Sequence, residues 1–269
     1  MRIIFIALFL ILSGQVYCAG MSGDKTVLIT GSNRGIGLGL VEEYSSHNWN
    51  VIATARDPDR AEELKKLAGN NKNIIIEQLD VTDHARIDEL AEKYKGQPID
   101  ILLNNAAFIP PYSISRRPFE EIQFSNTRRS FEVNVIGPMK LAQAFLPHIE
   151  ASKDKKIINI STAAASFNRG PAFGSSFNYI TSKTALNMFT YNLAAALKAR
   201  NIIVVSIHPG VVETNRPGND PVSLPETVRR IPKIEVNESA SKLLALINSL
   251  TLEKSGKFLN YADGMVIPW

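Results

Sequence analysis

Seven short runs rich in Val, Ile and Leu punctuate this chain, and most of them do not alternate apolar with polar residues. A strand wet on one face alternates; a run that does not is covered on both faces, the habit of parallel sheets flanked by helices. The runs are Thr26 to Thr30, Asn50 to Thr54, Asn73 to Gln78, Ile99 to Leu103, Lys156 to Ser161, Ile202 to Ile207 and Lys257 to Leu259. Between them, Ile36 to Asn48, Arg60 to Ala68, Thr82 to Lys95, Phe119 to Ile149, Phe177 to Arg200 and Glu238 to Leu250 carry apolar residues at helical spacing. Pro138 and Pro147 are expected to interrupt or end parts of the long fourth stretch. Strand and helix in alternation predict βαβ units in one doubly wound α/β domain, with ligands at the carboxyl ends of the strands.

Composition narrows the chemistry. At 269 residues and 45% hydrophobic, the chain can bury one large core. Its single cysteine, Cys18, excludes an intramolecular disulfide framework and a Cys-cluster zinc site. Four scattered His without His-x-x-x-His spacing argue against a His-built metal site, so metal-free chemistry is expected. A net charge of +4 is too weak to point to nucleic acid or an anionic membrane surface. The Arg pairs at 116/117, 128/129 and 229/230 read as solvated faces, with a border on a substrate cleft as the alternative for the first.

Residues 1 to 20 stand apart. Met1 to Leu12 places one Arg ahead of ten uninterrupted apolar residues, the shape of a signal peptide with small residues near Cys18 for cleavage. A membrane span needs roughly 20 apolar residues, so no stable span is expected. Cleavage would place the protein in the secretory route; a start at Met21, which opens a complete first strand, would leave it in the cytoplasm. The domain reading is therefore a leader over 1–20 and one enzyme-sized domain over 21–269.

Cofactor chemistry begins in the first strand-to-helix turn, Thr30 Gly31 Ser32 Asn33 Arg34 Gly35 Ile36 Gly37. Glycine permits the tight turn and lets backbone N–H groups approach a pyrophosphate, whose charge the helix N-terminus favours. At the end of the second strand an NAD enzyme usually places a carboxylate for the ribose 2′-hydroxyl. Here Arg56 precedes the first carboxylate, Asp57, and Arg34 and Arg56 both suit a 2′-phosphate, so NADP(H) is favoured over NAD(H).

The strongest catalytic signal is Tyr179 Ile180 Thr181 Ser182 Lys183. On a helix, residues i and i+4 share a face. A phenol with a pKa near about 10 needs a nearby cation to work as a proton donor and acceptor at neutral pH. Tyr179 is the candidate general acid/base and Lys183 its cation.

The Gly-x-x-x-Gly-x-Gly spacing, followed in chain order by Tyr-x-x-x-Lys, resembles the short-chain dehydrogenases/reductases over essentially all of 21–269. The wording from Asn33 to Leu40 and the tail from Phe258 to Trp269 is similar to the C-factor or sniffer-like carbonyl reductases in that family. The resemblance implies a Rossmann-type domain with a seven-stranded parallel sheet. It implies that Asp80, in Leu79 Asp80 Val81, contacts the adenine amine, with the cap of the next helix as an alternative role. It implies that Asn104, Asn105, Ala106 and Ala107 brace the sheet beside the adenosine. Ala107 stands where the family has glycine and would be strained if that position needs a positive φ.

The same resemblance makes Asn134 the holder of a proton-relay water, with a purely structural hydrogen bond as the alternative. The hydroxyl that orients a substrate carbonyl falls on Thr162, with Ser161 the alternative. Pro209, Gly210, Val212 and Thr214 match the family's Pro-Gly-x-x-x-Thr contact with the nicotinamide amide. Residues 215–233, rich in proline, are expected to form a loop over the substrate. After Thr214 this chain reads Asn215 Arg216 Pro217, where the carbonyl reductases usually read Asp-Met-Gly.

The function expected is NADP(H)-dependent reduction of aldehydes, ketones or quinones, or oxidation of the matching alcohols. Phe108, Ile109, Pro110, Pro111, Tyr112, Phe167, Phe173 and Phe177 read as an apolar substrate cleft or as core. The alternatives are a catalytically weak or inactive NADP-binding protein and a secreted interaction protein, for which the sequons at Asn159 and Asn237 would matter. A homodimer or homotetramer is the family's habit; Pro268 and Trp269 either anchor such a contact or fold back on their own domain.

Overall fold

The computed structural model describes residues 23–115, 117–169, 176–214, 230 and 232–269, and only the backbone at Tyr112, Ser115 and Arg169. The leader and most of the 215–233 loop lie outside the described residues. Each apolar run is a strand: β1 (Thr26–Ile29), β2 (Asn50–Ala55), β3 (Ile74–Gln78), β4 (Ile101–Asn104), β5 (Lys156–Ile160), β6 (Ile203–His208) and β7 (Phe258–Asn260). They form one parallel sheet in the order β3-β2-β1-β4-β5-β6-β7. The order reverses between β1 and β4, which opens a crevice at their carboxyl ends.

The helices are α1 (Gly35–Ser46), α2 (Glu62–Asn70), α3 (His84–Lys93), α4 (Tyr112–Ser115), α5 (Phe124–Phe131), α6 (Gly137–Ala144), α7 (Leu146–Ala151), α8 (Phe177–Leu197) and α9 (Val236–Ser249). Side chains of a strand point alternately to opposite faces, so Val27 and Ile29 join one core while Leu28 joins the other. The first core packs Val51, Ile158, Val205 and Ile207 under Leu40 of α1 and Leu243 and Ile247 of α9. The second packs Ile52, Leu102, Ile157 and Val204 under Leu90, Leu141, Phe145 and Leu197. Burial on both faces explains why the strands read as unbroken apolar runs.

The stretch from Phe119 to Ile149 departs from the single interrupted helix expected. It comprises a 3₁₀ turn (Phe119–Glu121), α5, a π-helical turn (Glu132–Ile136), α6 and α7. Phe119 and Phe124 are each 68% exposed, so the apolar spacing there does not mark a buried stripe. Pro147 falls in the first turn of α7, where proline's missing N–H costs nothing, whereas Pro138 follows directly on the π-helical turn, with Ile136 and Gly137 both in helical conformation.

The outer edge of β7 is covered by the chain's own end. Asn260 N–H donates to Met265 O at 2.9 Å and Ile267 N–H to Phe258 O at 2.7 Å. Trp269 stacks on Phe258 with ring centroids 5.9 Å apart and meets Tyr191 edge-on at 6.2 Å. The tail therefore folds back on its own domain and blocks strand addition at that edge.

Candidate active site

The glycine turn is built by close approach. A Cβ at Gly37 would lie 2.2 Å from Gly31 O and 2.6 Å from Asn105 Nδ2, and Gly35 holds a φ of +54°. Ser32 is buried; its N–H donates to Thr54 O and its hydroxyl to Ile29 O, both within 2.9 Å, which ties the turn to β1 and β2. Ile36 packs on the first core, while Asn33 and Arg34 are exposed. At the start of α1 no side chain caps the helix and no acidic residue stands in its first turn. The leading N–H groups of a helix need acceptors, and a phosphate supplies them where no cap does. This donor set fits a dinucleotide.

Beside it, Asn105 donates from Nδ2 to Thr30 O (2.9 Å) and Gly31 O (3.1 Å). The backbone N–H groups of Asn105 and Ala106 both donate to Thr30 Oγ1 at 3.0 Å. Among the described residues the positive-φ positions other than glycine are Asn48, Lys155 and Asn201, so Ala107 carries no such strain. Beneath this turn runs a buried polar chain that sequence reading missed. Asn104 Nδ2 donates to Asn159 Oδ1 (2.8 Å), Asn159 Nδ2 to Thr190 Oγ1 (2.9 Å), and Thr190 meets Ser206 Oγ at 2.8 Å. It pins β4, β5 and β6 to α8.

At the end of β3, Asp80 accepts from Thr82 N (3.0 Å) and Thr82 Oγ1 (2.8 Å) and pairs with Arg129 at 3.3 Å. Burial works to raise its pKa, but the Thr82 hydrogen bonds and the Arg129 guanidinium outweigh it and hold the carboxyl below its ordinary value. The cap of α3 is Asp83, which accepts from Arg86 N at 3.0 Å; Asp80 does not cap that helix. Arg129 is thus not a merely solvated residue, while its neighbour Arg128 is exposed. Val81 is buried against Gly137, where an added Cβ would come within 2.9 Å of Val81 O. Arg56 is exposed past β2, and Asp57 lies 4.0 Å from Arg60 Nε.

The segment after β6 closes over the glycine turn. Pro209 O accepts from Ser239 Oγ at 2.7 Å, Gly210 holds a φ of +89°, and Val212 bridges Ile234. A Cβ at Gly35 would lie 3.1 Å from the methyl of Thr214, which brings the two predicted cofactor segments together.

Tyr179 and Lys183 stand one turn apart at the start of α8. Lys183 is 2% exposed, and its Nζ donates to Ile160 O at 2.7 Å, fastening α8 to the end of β5. Burial pushes its pKa down to about 7. Two residues beyond Ile160, Thr162 is partly exposed and its hydroxyl accepts from Ala164 N at 3.4 Å. Ser161 is buried, and its hydroxyl has no hydrogen-bond partner among the described residues.

Asn134 sits fully buried in the π-helical turn. Its Oδ1 accepts from Phe108 N (2.8 Å), and its Nδ2 donates to Phe108 O and Ser182 Oγ, both at 2.9 Å. Both amide hydrogens are therefore in use within the protein, as the structural alternative requires. Ser182 in turn donates to Tyr179 O at 2.7 Å.

The aromatic cleft is only partly assembled. Phe108 packs on the second core, but Phe167 is exposed. Phe177 pairs edge-on with Phe119 at 5.7 Å, and with Ile122, Phe124 and Thr181 they line a cavity of about 410 Å³. On an ideal helix Phe177 and Tyr179 are about 200° apart, and Tyr179 is not among the residues that line this cavity. Phe173 lies outside the described residues. Among the described residues no group of three or more His, Cys, Asp or Glu could hold a metal, and no helix is long and apolar enough to cross a membrane.

Residues 25–220 match the family model described as short chain dehydrogenase. The chain belongs to the short-chain dehydrogenase family. A relative named an uncharacterized oxidoreductase, from Schizosaccharomyces pombe, is 32% identical to this dehydrogenase over 256 residues, covering 91% of this chain and 98% of the relative. The short-chain dehydrogenase srdF of Neurospora crassa is 32% identical over 263 residues, with 91% and 98% covered. Among solved structures, the NADPH-bound carbonyl reductase from chicken fatty liver is 33% identical with a TM-score of 0.80, covering 92% of this chain and 100% of that one. The carbonyl reductase Sniffer of D. melanogaster is 29% identical with a TM-score of 0.79, covering 91% and 99%.

Proposed function

We propose that this dehydrogenase uses NADP(H) to reduce aldehydes, ketones or quinones to alcohols, or runs the reverse reaction, with Tyr179 as the general acid/base. The observation that carries the reading is the Lys183 to Ile160 contact at 2.7 Å, which docks the Tyr179 turn of α8 onto the end of β5 next to Thr162. The carbonyl reductases to which the chain is similar support the substrate class, and one of them holds NADPH.

The glycine turn, the open start of α1, Asp80 with Val81, Asn105 with Ala106, and the Pro209 to Thr214 segment would hold the dinucleotide. Arg34 and Arg56 would meet its 2′-phosphate, and Arg60, 4.0 Å from Asp57, offsets that carboxylate. When bound, the cofactor supplies or accepts a hydride. The chain's own residues manage the proton and the geometry. The Tyr179 phenol gives its proton to the carbonyl oxygen, and the Thr162 hydroxyl donates a hydrogen bond that orients that oxygen. Protonated Lys183 favours the phenolate left behind. Purified protein with NADPH and a panel of aldehydes, ketones and quinones tests this: NADPH consumption that disappears in Tyr179→Phe supports it.

A second reading, an NADP-binding protein with little or no turnover, rests on Thr162. Its β-branched side chain is rotamer-restricted and its hydroxyl already accepts from Ala164 N. Tight NADPH binding with no Tyr179-dependent turnover across the panel would favour it.

For residues 1–20 we propose a cleavable leader into the secretory route. Asn159 is fully buried, whereas Asn237 is exposed at the start of α9. A glycan on Asn237 supports that route, and a mature N-terminus at Met21 on protein recovered from the cytosol rejects it.

A further inference from the structure

Tyr-x-x-x-Lys is read as two working residues and three spacers, and one spacer is not idle. Ser182 is fully buried and its hydroxyl does two jobs: it accepts from Asn134 Nδ2 at 2.9 Å and donates to Tyr179 O at 2.7 Å. Asn134 in turn grips both backbone groups of Phe108, accepting from its N–H at 2.8 Å and donating to its carbonyl at 2.9 Å. Three segments far apart in sequence thereby meet in one buried hydrogen-bonded line: the turn after β4, the π-helical turn before α6, and the opening of α8.

We infer that Ser182 is a positioning residue that locks the Tyr179 turn to the Phe108 backbone through Asn134. Every polar hydrogen in the line has one acceptor, and a hydroxyl is the only common side-chain group of serine size that accepts from one side and donates to the other. The π-helical turn fits the same purpose. It shifts the helix register where Asn134 must reach inward, and such turns occur frequently at functional sites. Without the Ser182 hydroxyl, Asn134 keeps Phe108 but loses its hold on α8, whose opening is then left to contacts that do not reach Phe108, among them Thr127 Oγ1 donating to Asn178 Oδ1 and Lys183 Nζ donating to Ile160 O, both at 2.7 Å. The inference rests on Tyr179 being the acid/base group, because a displaced phenol matters only if the phenol works.

The test is Ser182→Ala in the whole chain, with Ser182→Thr as the variant that keeps a hydroxyl. In Ser182→Ala, kcat is expected to fall about tenfold or more with the KM for NADPH within about twofold of wild type. The pH profile of kcat should also move, and amide exchange of residues 180–186 should quicken as the opening of α8 loosens. Ser182→Thr should recover most of kcat. A folded Ser182→Ala with wild-type kcat, pH profile and exchange overturns the inference. Should Ser182→Ala fail to fold, Ser182→Cys, which keeps the volume with a weak donor, carries the same comparison. A wild type without Tyr179-dependent turnover sinks the acid/base reading by itself. The exchange comparison then still decides the brace, faster exchange supporting it and unchanged exchange overturning it.

Discussion

Lys183 Nζ lies 2.7 Å from the carbonyl oxygen of Ile160, inside the domain, one helical turn beyond Tyr179. One contact thus joins the helix that carries the phenol to the strand that leads to Thr162. It also places an ammonium where water cannot solvate it, and burial lowers its pKa from 10.5 to about 7.

That burial has a pH signature. Between about pH 7 and 10.5 the unfolded chain binds a proton at this lysine that the folded chain does not. Stability conferred at this site therefore rises with pH across that window. Lys183→Met should remove the rise, so its gain in Tm over wild type is largest near pH 6 and shrinks toward pH 10, while turnover is lost. Thermal melts of both proteins from pH 6 to 10 check this; parallel curves would contradict it.

Glycine substitutions should sort by surroundings. Gly37→Ala forces a Cβ to 2.2 Å from Gly31 O and should abolish NADPH binding and fold poorly. Gly35→Ala meets only the Thr214 methyl, at 3.1 Å, but sits at a φ of +54°. It should cost about 1–2 kcal/mol and weaken NADPH. Gly69→Ala, in α2 with nothing within 4 Å, should be neutral or stabilise by up to about 1 kcal/mol. Denaturant titration with NADPH fluorescence ranks the three, and equal losses would refute the ordering.

The fold was legible because each strand is covered on both faces, which writes it into the sequence as an unbroken apolar run. Phe119 misled because its apolar side chain faces outward beside Phe177, so spacing there carried no burial signal. The π-helical turn had no local signature either. Asn134 is held by Phe108, 26 residues away, and Ser182, 48 residues away, and only the assembled domain supplies those partners. Tyr179 and Lys183 were readable as an i, i+4 pair, but the burial of Lys183 depends on β5. Arg129 looked solvated because its partner Asp80 lies 49 residues earlier.

Cofactor choice should depend on exposed arginines. Arg56→Ala and Arg34→Ala should each raise the KM for NADPH about tenfold or more and leave NADH little changed, because only the former carries a 2′-phosphate. Added salt should weaken NADPH in wild type more than in the double variant. Kinetics with both nucleotides measure this, and equal losses for NADPH and NADH would point to a role in folding instead.

Thr162 and Ser161 separate by exposure. Thr162→Ala should lower kcat about a hundredfold with NADPH affinity kept, and Thr162→Ser should retain activity. Ser161→Ala, at a buried hydroxyl without a partner among the described residues, should leave kcat within about threefold. The reverse pattern would move the orienting role to Ser161.

The most direct test of the whole account is the rate of NADPH oxidation by residues 21–269 with a panel of aldehydes, ketones and quinones, wild type beside Tyr179→Phe, with NADPH affinity measured on both. Turnover by the wild type, loss of about a thousandfold or more in Tyr179→Phe, and NADPH affinity equal within about threefold are expected. Equal rates in the two proteins, or no turnover by a wild type that binds NADPH tightly, would contradict it.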